Sequence, residues 1–407
     1  MADTRSGPFK SWFWQPPRPH GETIVGRTVS SLELLYDLVY VAVIGQAAHH
    51  LAEHLSVRGT VDFAVVFTLI WVAWVNGTLY IEIHGRDDGR TRLIAFAQMG
   101  ILVLLAVFTA EAGGESGRAF ALVYAIYLAV VALLFFTVRR QEADRPEFVG
   151  ETGLYVVCMS VAVAVVLVSA FVPTDARLVL WAAVGVGWVV GLALAGRARV
   201  GLNRGMPPTE SLVERFGLFT IIVLGEVVLG VVDGLSSVDR DTKTVVTGLV
   251  ALWVGLGLWW IYFDLVGRRL PHDTGRAVST WLLGHLPITL SVAAAGAAMV
   301  SLLEHAHDQR APAGTSWLLA GAVAVCLLAV AVTESTLVDA RRLGAVYRPV
   351  NLAMGAGAAA ALVVAWARPA PLLLALLLVA ILSVLWFFAV SRFLRVDEWR
   401  RAKAGAA

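Results

Sequence analysis

Charge is what this sequence has least of. Only 15% of its 407 residues are Asp, Glu, Lys or Arg, against about 25% in an average soluble domain. With 58% hydrophobic residues alongside, that figure excludes both an ordinary soluble domain and a disordered chain. Cysteine occurs twice, at Cys158 and Cys326, each inside a long apolar run, so a disulfide scaffold is excluded. The net charge of +2 leaves no basic footprint for a nucleic-acid partner. Apolar/polar alternation never persists over ten residues, which excludes a membrane β-barrel. There is no nucleotide-binding loop and no Gly-x-Ser-x-Gly, HExxH or CxxC motif, so the chain offers no ATP-driven pump and no familiar hydrolytic or metal-dependent catalytic set. No cofactor is expected, and an enzymatic role has the least support.

What is present is apolar length. Crossing the ~30 Å of hydrocarbon takes about 20 mostly apolar residues, and twelve stretches qualify: 32–55, 61–83, 92–111, 117–138, 152–172, 178–196, 210–233, 244–266, 277–303, 315–338, 349–367 and 370–391. Backbone polar groups in lipid must be bonded within their own segment, so each stretch is expected to be a helix. The fold class is all-α and polytopic. Residues 1–31 read as a polar, proline-bearing tail without a signal-peptide core, so the first span is expected to direct insertion; residues 392–407 read as a second tail.

Arginine placement gives an orientation. With the N-terminus inside, 24 basic residues fall in the inside segments and seven outside, alternating loop by loop, with Arg215 alone within a span. That bias predicts cytoplasmic termini and an even number of spans. Trp12, Phe13 and Trp14 would rest either at the headgroups or in ordinary contacts.

The two halves echo one another. Placing Gly45-Gln46 over Gly225-Glu226 aligns residues 32–52 with 212–232, and the following spans agree in outline: Trp74 to Glu82, Gly89-Arg90 and Gln98 in one half, Trp260 to Asp264, Gly275-Arg276 and His285 in the other. Two six-helix repeats, 32–200 and 201–391, are expected. Six is even, so the repeats are parallel, a class that places its site at the repeat interface near the midplane.

Ionisable residues inside spans are costly and are therefore functional candidates. Glu33 and Asp37, four apart, share one face of the first helix, with Tyr36 and Tyr40 beside them. Each acid also has a plain reading, as a residue favoured by the positive end of the helix dipole. Gln46, His49, His50, Glu53 and His54 follow on another face. His50 and His54 have chelating i,i+4 spacing, but no four-ligand pattern accompanies them and no metal is assigned. On the seventh span Arg215, Glu226 and Asp233 fall on one stripe. Glu226 has no basic residue one turn away, so it must find a partner on another helix, face water or carry a proton. Gln98 and His285 are candidates on the midplane side, or polar glue between helices. Glu82, Asp87, Asp88, Arg90, Asp264 and Arg276 would form gating ion pairs at the inner ends, or plain solvated turns.

Several segments resemble one family. Glu33-Leu-Leu-Tyr-Asp37-Leu-Val-Tyr40-Val is similar to the opening signature of the bacterial low temperature requirement A family, with Leu35, Tyr36 and Tyr40 in place of phenylalanines. Asp87-Asp88-Gly-Arg90-Thr-Arg92-Leu resembles its next polar loop, Glu214-Arg215-Phe216-Gly217-Leu218-Phe219-Thr220 through Gly225-Glu226 its central signature, and His285-Leu286-Pro287 a later one. Where the family often has Ser or Thr after the glutamate, Val227 stands here. The resemblance implies a polytopic protein of the bacterial cytoplasmic (inner) membrane and carries no biochemical activity with it. A fainter likeness, Tyr36-Asp37 and Arg215-Phe216, is to lysosomal-type potassium channels.

Twelve spans, a repeat and carboxylates in spans 1 and 7 favour an ion-coupled secondary transporter. Asp37 and Glu226 would bind a proton or monovalent cation and Arg215 would neutralise one of them, while the small-molecule substrate is not legible. A cation channel and a membrane-embedded lipid-handling enzyme are the alternatives. The enzyme reading expects a lipid-facing cavity lined by Asp37, Gln98 and His285. Membrane lipids are the one partner the sequence requires.

Overall fold

In hydrocarbon a backbone satisfies itself as helix or not at all, and all twelve apolar stretches are helical. The computed structural model describes residues 12–22, 24, 26–198 and 208–404; Arg5, Lys10, Arg199 and Arg204 of the orientation argument lie outside them. Among the described residues there are thirteen helices and no strand. They are α1 (Ser31–Glu53), α2 (Val57–His84), α3 (Gly89–Thr109), α4 (Gly117–Gln141), α5 (Pro146–Ser169), α6 (Thr174–Ala198), α7 (Glu210–Ser237), α8 (Thr242–Leu265), α9 (Gly275–Glu304), α10 (Ala313–Glu334), α11 (Val338–Arg342), α12 (Gly344–Ala367) and α13 (Pro371–Ala404). Every one except the five-residue α11 is long and apolar enough to cross a membrane.

Most helix ends fall within four residues of the sequence expectation, but α5 begins six residues early at Pro146, and two further regions differ. The stretch expected to run to 338 ends at Glu334, and α11 follows as a separate turn before α12 begins at Gly344, five residues ahead of Pro349. A proline inside a helix forfeits one backbone bond, which packed membrane helices tolerate. The last helix runs on to Ala404, because nothing after residue 391 breaks it.

The chain divides into two compact units. The first comprises Met1–His50, Val61–Arg215 and Asp273–Ser279; the second comprises Leu51–Thr60, Phe216–His272 and Thr280–Ala407. In the first unit α2 is the most enclosed helix, and α3, α4, α5 and α6 pack pairwise in chain order. In the second unit α9 is the most enclosed, while α8, α10, α12 and α13 pack against one another. Gly230 and Gly296 mark where α7 and α9 touch backbone to backbone: a Cβ on Gly230 would strike the Gly296 carbonyl, and one on Gly296 the backbone of Glu226. Small residues are what permit such close helix approach in membranes.

Residues 13–22 are tied down within the first unit. Arg18 donates to the carbonyls of Ile81, Glu82 and Gly85, satisfying the orphan acceptors at the end of α2. Its N–H and carbonyl pair with His84, and His20 bonds Glu142 at the end of α4 through both its N–H and its ring. Gln15 donates to Asp88, and Arg86 and Gln141 reach back to the carbonyls of Pro16 and Pro17. Burial pushes the Arg18 guanidinium below its ordinary pKa, helped by the nearby Arg27. Trp12 and Trp14 remain exposed, while the Phe13 ring packs on Gly89 so closely that a Cβ there would collide with it.

Candidate functional site

The start of α1 is built as a capping box. Ser30 is the N-cap: its hydroxyl accepts the Glu33 N–H at 3.3 Å, and Glu33 Oε2 accepts the Ser30 N–H at 2.9 Å. This local motif fixes the first turn, and one turn deeper it sets Asp37 on the same face. Asp37 is fully buried. It accepts from the Trp74 indole of α2 at 2.8 Å and from the Arg215 guanidinium at 3.1 and 3.3 Å. Arg215, also fully buried, sits over the Tyr36 ring and has Nη1 3.6 Å from Glu33. Arg27 bridges Glu33 and Glu82. Glu82 in turn accepts from the hydroxyls of Thr209 and Ser211 at 2.7 and 2.8 Å.

Five charged side chains therefore form one network within the first unit: carboxylates Glu33, Asp37 and Glu82, and guanidiniums Arg27 and Arg215. Beside it Tyr36 and Tyr40 point their hydroxyls at that of Tyr127, which donates to the Ala73 carbonyl. Gly77 makes room for this cluster, since a Cβ there would collide with the Tyr36 and Tyr127 hydroxyls.

The other sequence candidates are placed differently. Gln98 is buried on α3 with its Nε2 lacking a partner, and Gln46 is exposed on α1. His50 is half-buried, and Glu53 and His54 are exposed. Asp88 caps α3 through the Thr91 N–H at 3.0 Å, Arg90 bonds the Tyr80 hydroxyl at 3.2 Å, and Asp87 pairs with Arg92 in the open. Asn76 is consumed by Tyr155, Trp188 and the Val72 carbonyl. In the second unit Glu226 is buried on α7 with Oε1 unbonded. His285 is satisfied at both ring nitrogens, by the Trp281 carbonyl at 2.7 Å and the Tyr262 hydroxyl at 3.0 Å, which is structural glue. Asp264 accepts from the Trp386 indole at 2.7 Å, and Arg276 is exposed.

Several buried charges and their partners carry no signal that local sequence rules single out. Trp74 appeared only as a repeat marker, although an indole N–H is a natural partner for a buried acid. Arg27 was counted with the tail, although it lies six residues before Glu33. Glu334 and Arg269 drew no notice at helix ends, where charges are ordinary. A cavity of about 190 Å³ in the second unit is lined by Ile261, Asp264, Arg269, Met354, Trp386 and Phe393 among others. Asp37, Gln98 and His285 are not among its walls.

The family model of the bacterial low temperature requirement A protein (LtrA) matches residues 28–385. A relative among curated proteins is "Uncharacterized protein RA0937" of Rhizobium meliloti (strain 1021), 24% identical over an alignment 280 residues long that covers 63% of this chain and 65% of that protein. The match thus spans just under two thirds of the relative's length. No solved structure matches. Glu33, Asp37, Glu82, Arg215 and Glu226 all fall within the matched region, and the chain belongs to the bacterial low temperature requirement A family of multi-pass membrane proteins.

Proposed function

We propose that this protein is an ion-coupled secondary transporter of the bacterial cytoplasmic membrane, with both termini cytoplasmic and its two halves acting as parallel repeats. The observation that carries the reading is the charge count of the buried network. Three carboxylates share two guanidiniums, so the fully ionised cluster holds one negative charge in excess. Arg18, nearby, commits its guanidinium to backbone carbonyls rather than to a carboxylate. An excess charge in a dry interior is stabilised by taking up a proton or a monovalent cation, and a cluster that fills and empties is what coupling requires.

In this mechanism Asp37 and Glu33 exchange Arg215 between them as the cation or proton enters. Trp74 and the Ser30 cap keep each acid oriented when its guanidinium leaves. Glu226, with an unbonded oxygen, serves the second unit as a further proton acceptor. The solute is a small molecule whose chemistry no residue yet specifies.

The test is ion flux in proteoliposomes under imposed proton and potassium gradients, comparing wild type with Asp37→Asn and Glu226→Gln. Flux lost in Asp37→Asn supports the reading; flux unchanged at every pH in both variants removes these acids from the mechanism. Flux that never saturates and runs without a coupling ratio would make the protein a cation channel instead.

A further inference from the structure

The chain leaves α10 at Glu334 and turns through residues 335–337 into α11. Glu334 is fully buried, and neither of its carboxylate oxygens has a hydrogen-bond donor. A negative charge there is disfavoured twice: it is removed from water, and it stands at the negative end of the α10 dipole. The nearest cation is already engaged. Arg269 faces Glu334, but its guanidinium donates to the Tyr347 hydroxyl, to Asp339 at 3.4 Å and to the Asp264 carbonyl at 2.9 Å. It also lies over the Tyr347 and Phe393 rings.

Asn351 on α12 is the other side chain facing this carboxyl: its amide approaches Glu334 without completing a hydrogen bond of normal geometry, and its own Oδ1 is enclosed without a donor. A half-turn of a side-chain amide exchanges its oxygen and nitrogen, so Asn351 can present an oxygen to the same point as Glu334. A carboxylate, an amide oxygen and the carbonyl end of an interrupted helix are the groups that hold cations inside membrane transporters. All of them are hard oxygen acceptors. The Glu334 carboxylate oxygens and Asn351 Oδ1 have no donor, while the carbonyls of Ala331, Val332, Thr333 and Glu334 each already accept at least one hydrogen bond from residues 335–337, of the two that a carbonyl oxygen can take.

We infer that Glu334 and Asn351, beside the carbonyl end of α10, form a binding site for a small monovalent cation, a sodium ion or a proton, in the second unit. The inference does not rest on the carrier reading, because occupancy is measured without transport. The charged and titratable groups facing the site are Arg269, Asp339 and Tyr347, which pair with one another. His272 lies in the adjoining turn, where its N–H donates to the Thr336 carbonyl. Replacing Glu334 leaves all four in place.

The experiment is thermal unfolding of the full-length protein in detergent, in sodium chloride or choline chloride of equal ionic strength, at acid and alkaline pH. A ligand that binds only the folded state raises Tm, here by about 2–5 °C at saturation. If sodium is the occupant, sodium raises Tm at alkaline pH. If the proton is the occupant, acidification raises it and sodium has no effect. In Glu334→Gln, whose amide carries no charge, the response disappears. A wild type that responds to neither, or a Glu334→Gln protein that responds as wild type does, overturns the site. Should Glu334→Gln fail to fold, Asn351→Ala gives the same decision: the midpoint concentration shifts by about tenfold or more, and an unshifted midpoint overturns the site.

Discussion

Cutting the Asp37–Arg215 pair from one side should cost more than removing it whole. Both side chains are fully buried, and three donor contacts converge on Asp37, two from Arg215 and one from Trp74. Charge centres about 4 Å apart attract by about 4 kcal/mol at an effective dielectric of about 20. Arg215→Met removes that attraction and leaves Asp37 with the indole alone, and breaking a buried pair in this way costs about 3–5 kcal/mol. Asp37→Leu strands the guanidinium in the same way, with Glu33 3.6 Å away as its remaining acid, so its cost falls at the lower end of that range. The double variant strands neither charge, and replacing a buried pair by apolar residues is close to neutral. The expected coupling is therefore at least about 2 kcal/mol, within the span measured for contacting residues. The assay is a double-mutant cycle on denaturant or thermal unfolding of the purified protein. Two single variants whose losses simply add would refute the claim that Arg215 and Asp37 compensate each other.

Three further outcomes follow from the same contacts. Gly77→Ala puts a Cβ against the Tyr36 and Tyr127 hydroxyls and should destabilise by about 1–3 kcal/mol; an unchanged Tm would show that the tyrosine cluster yields freely. Glu142→Ala removes two of the three hydrogen bonds that hold His20, leaving Arg145 on its carbonyl, and should open residues 17–22 to protease, read as faster cleavage in a native sample, whereas wild-type cleavage would mean the segment is held elsewhere. Asp241 caps α8 through the Thr244 N–H at 2.8 Å and also meets His307. These contacts, the backbone bond first, hold its pKa below the ordinary aspartate value. A depressed folded-state pKa stabilises at pH above the unfolded value of about 3.9, and the contribution is lost as pH falls through the lower folded value. Amide exchange at residues 242–245 should accelerate only in that acid window, and protection that persists below it would deny the cap.

Glu33 shows how far sequence reasoning reaches. The Ser30–Glu33 capping box came only with the structure, whereas the shared face of Glu33 and Asp37 follows from their spacing alone. The partner of Asp37 was beyond it, because Arg215 is 178 residues away and no local rule relates the two. Glu226 and His285 looked alike as lone polar residues in apolar helices. Packing separates them, leaving one with a free oxygen and the other satisfied at both nitrogens.

The sequence by itself determined the class. Hydrocarbon forbids unbonded backbone, so twelve long apolar runs with few charges could only be membrane helices, and the signatures at Glu33–Val41 and Glu214–Glu226 carried the family. Tertiary structure decided which charges meet and which helices are enclosed: α2 in one unit, α9 in the other. It also decided that Arg18 and His20 bind the ends of α2 and α4. Helix formation in lipid is a local necessity, legible residue by residue. The pairing of buried charges depends on which faces pack together, and periodicity along one helix does not encode that.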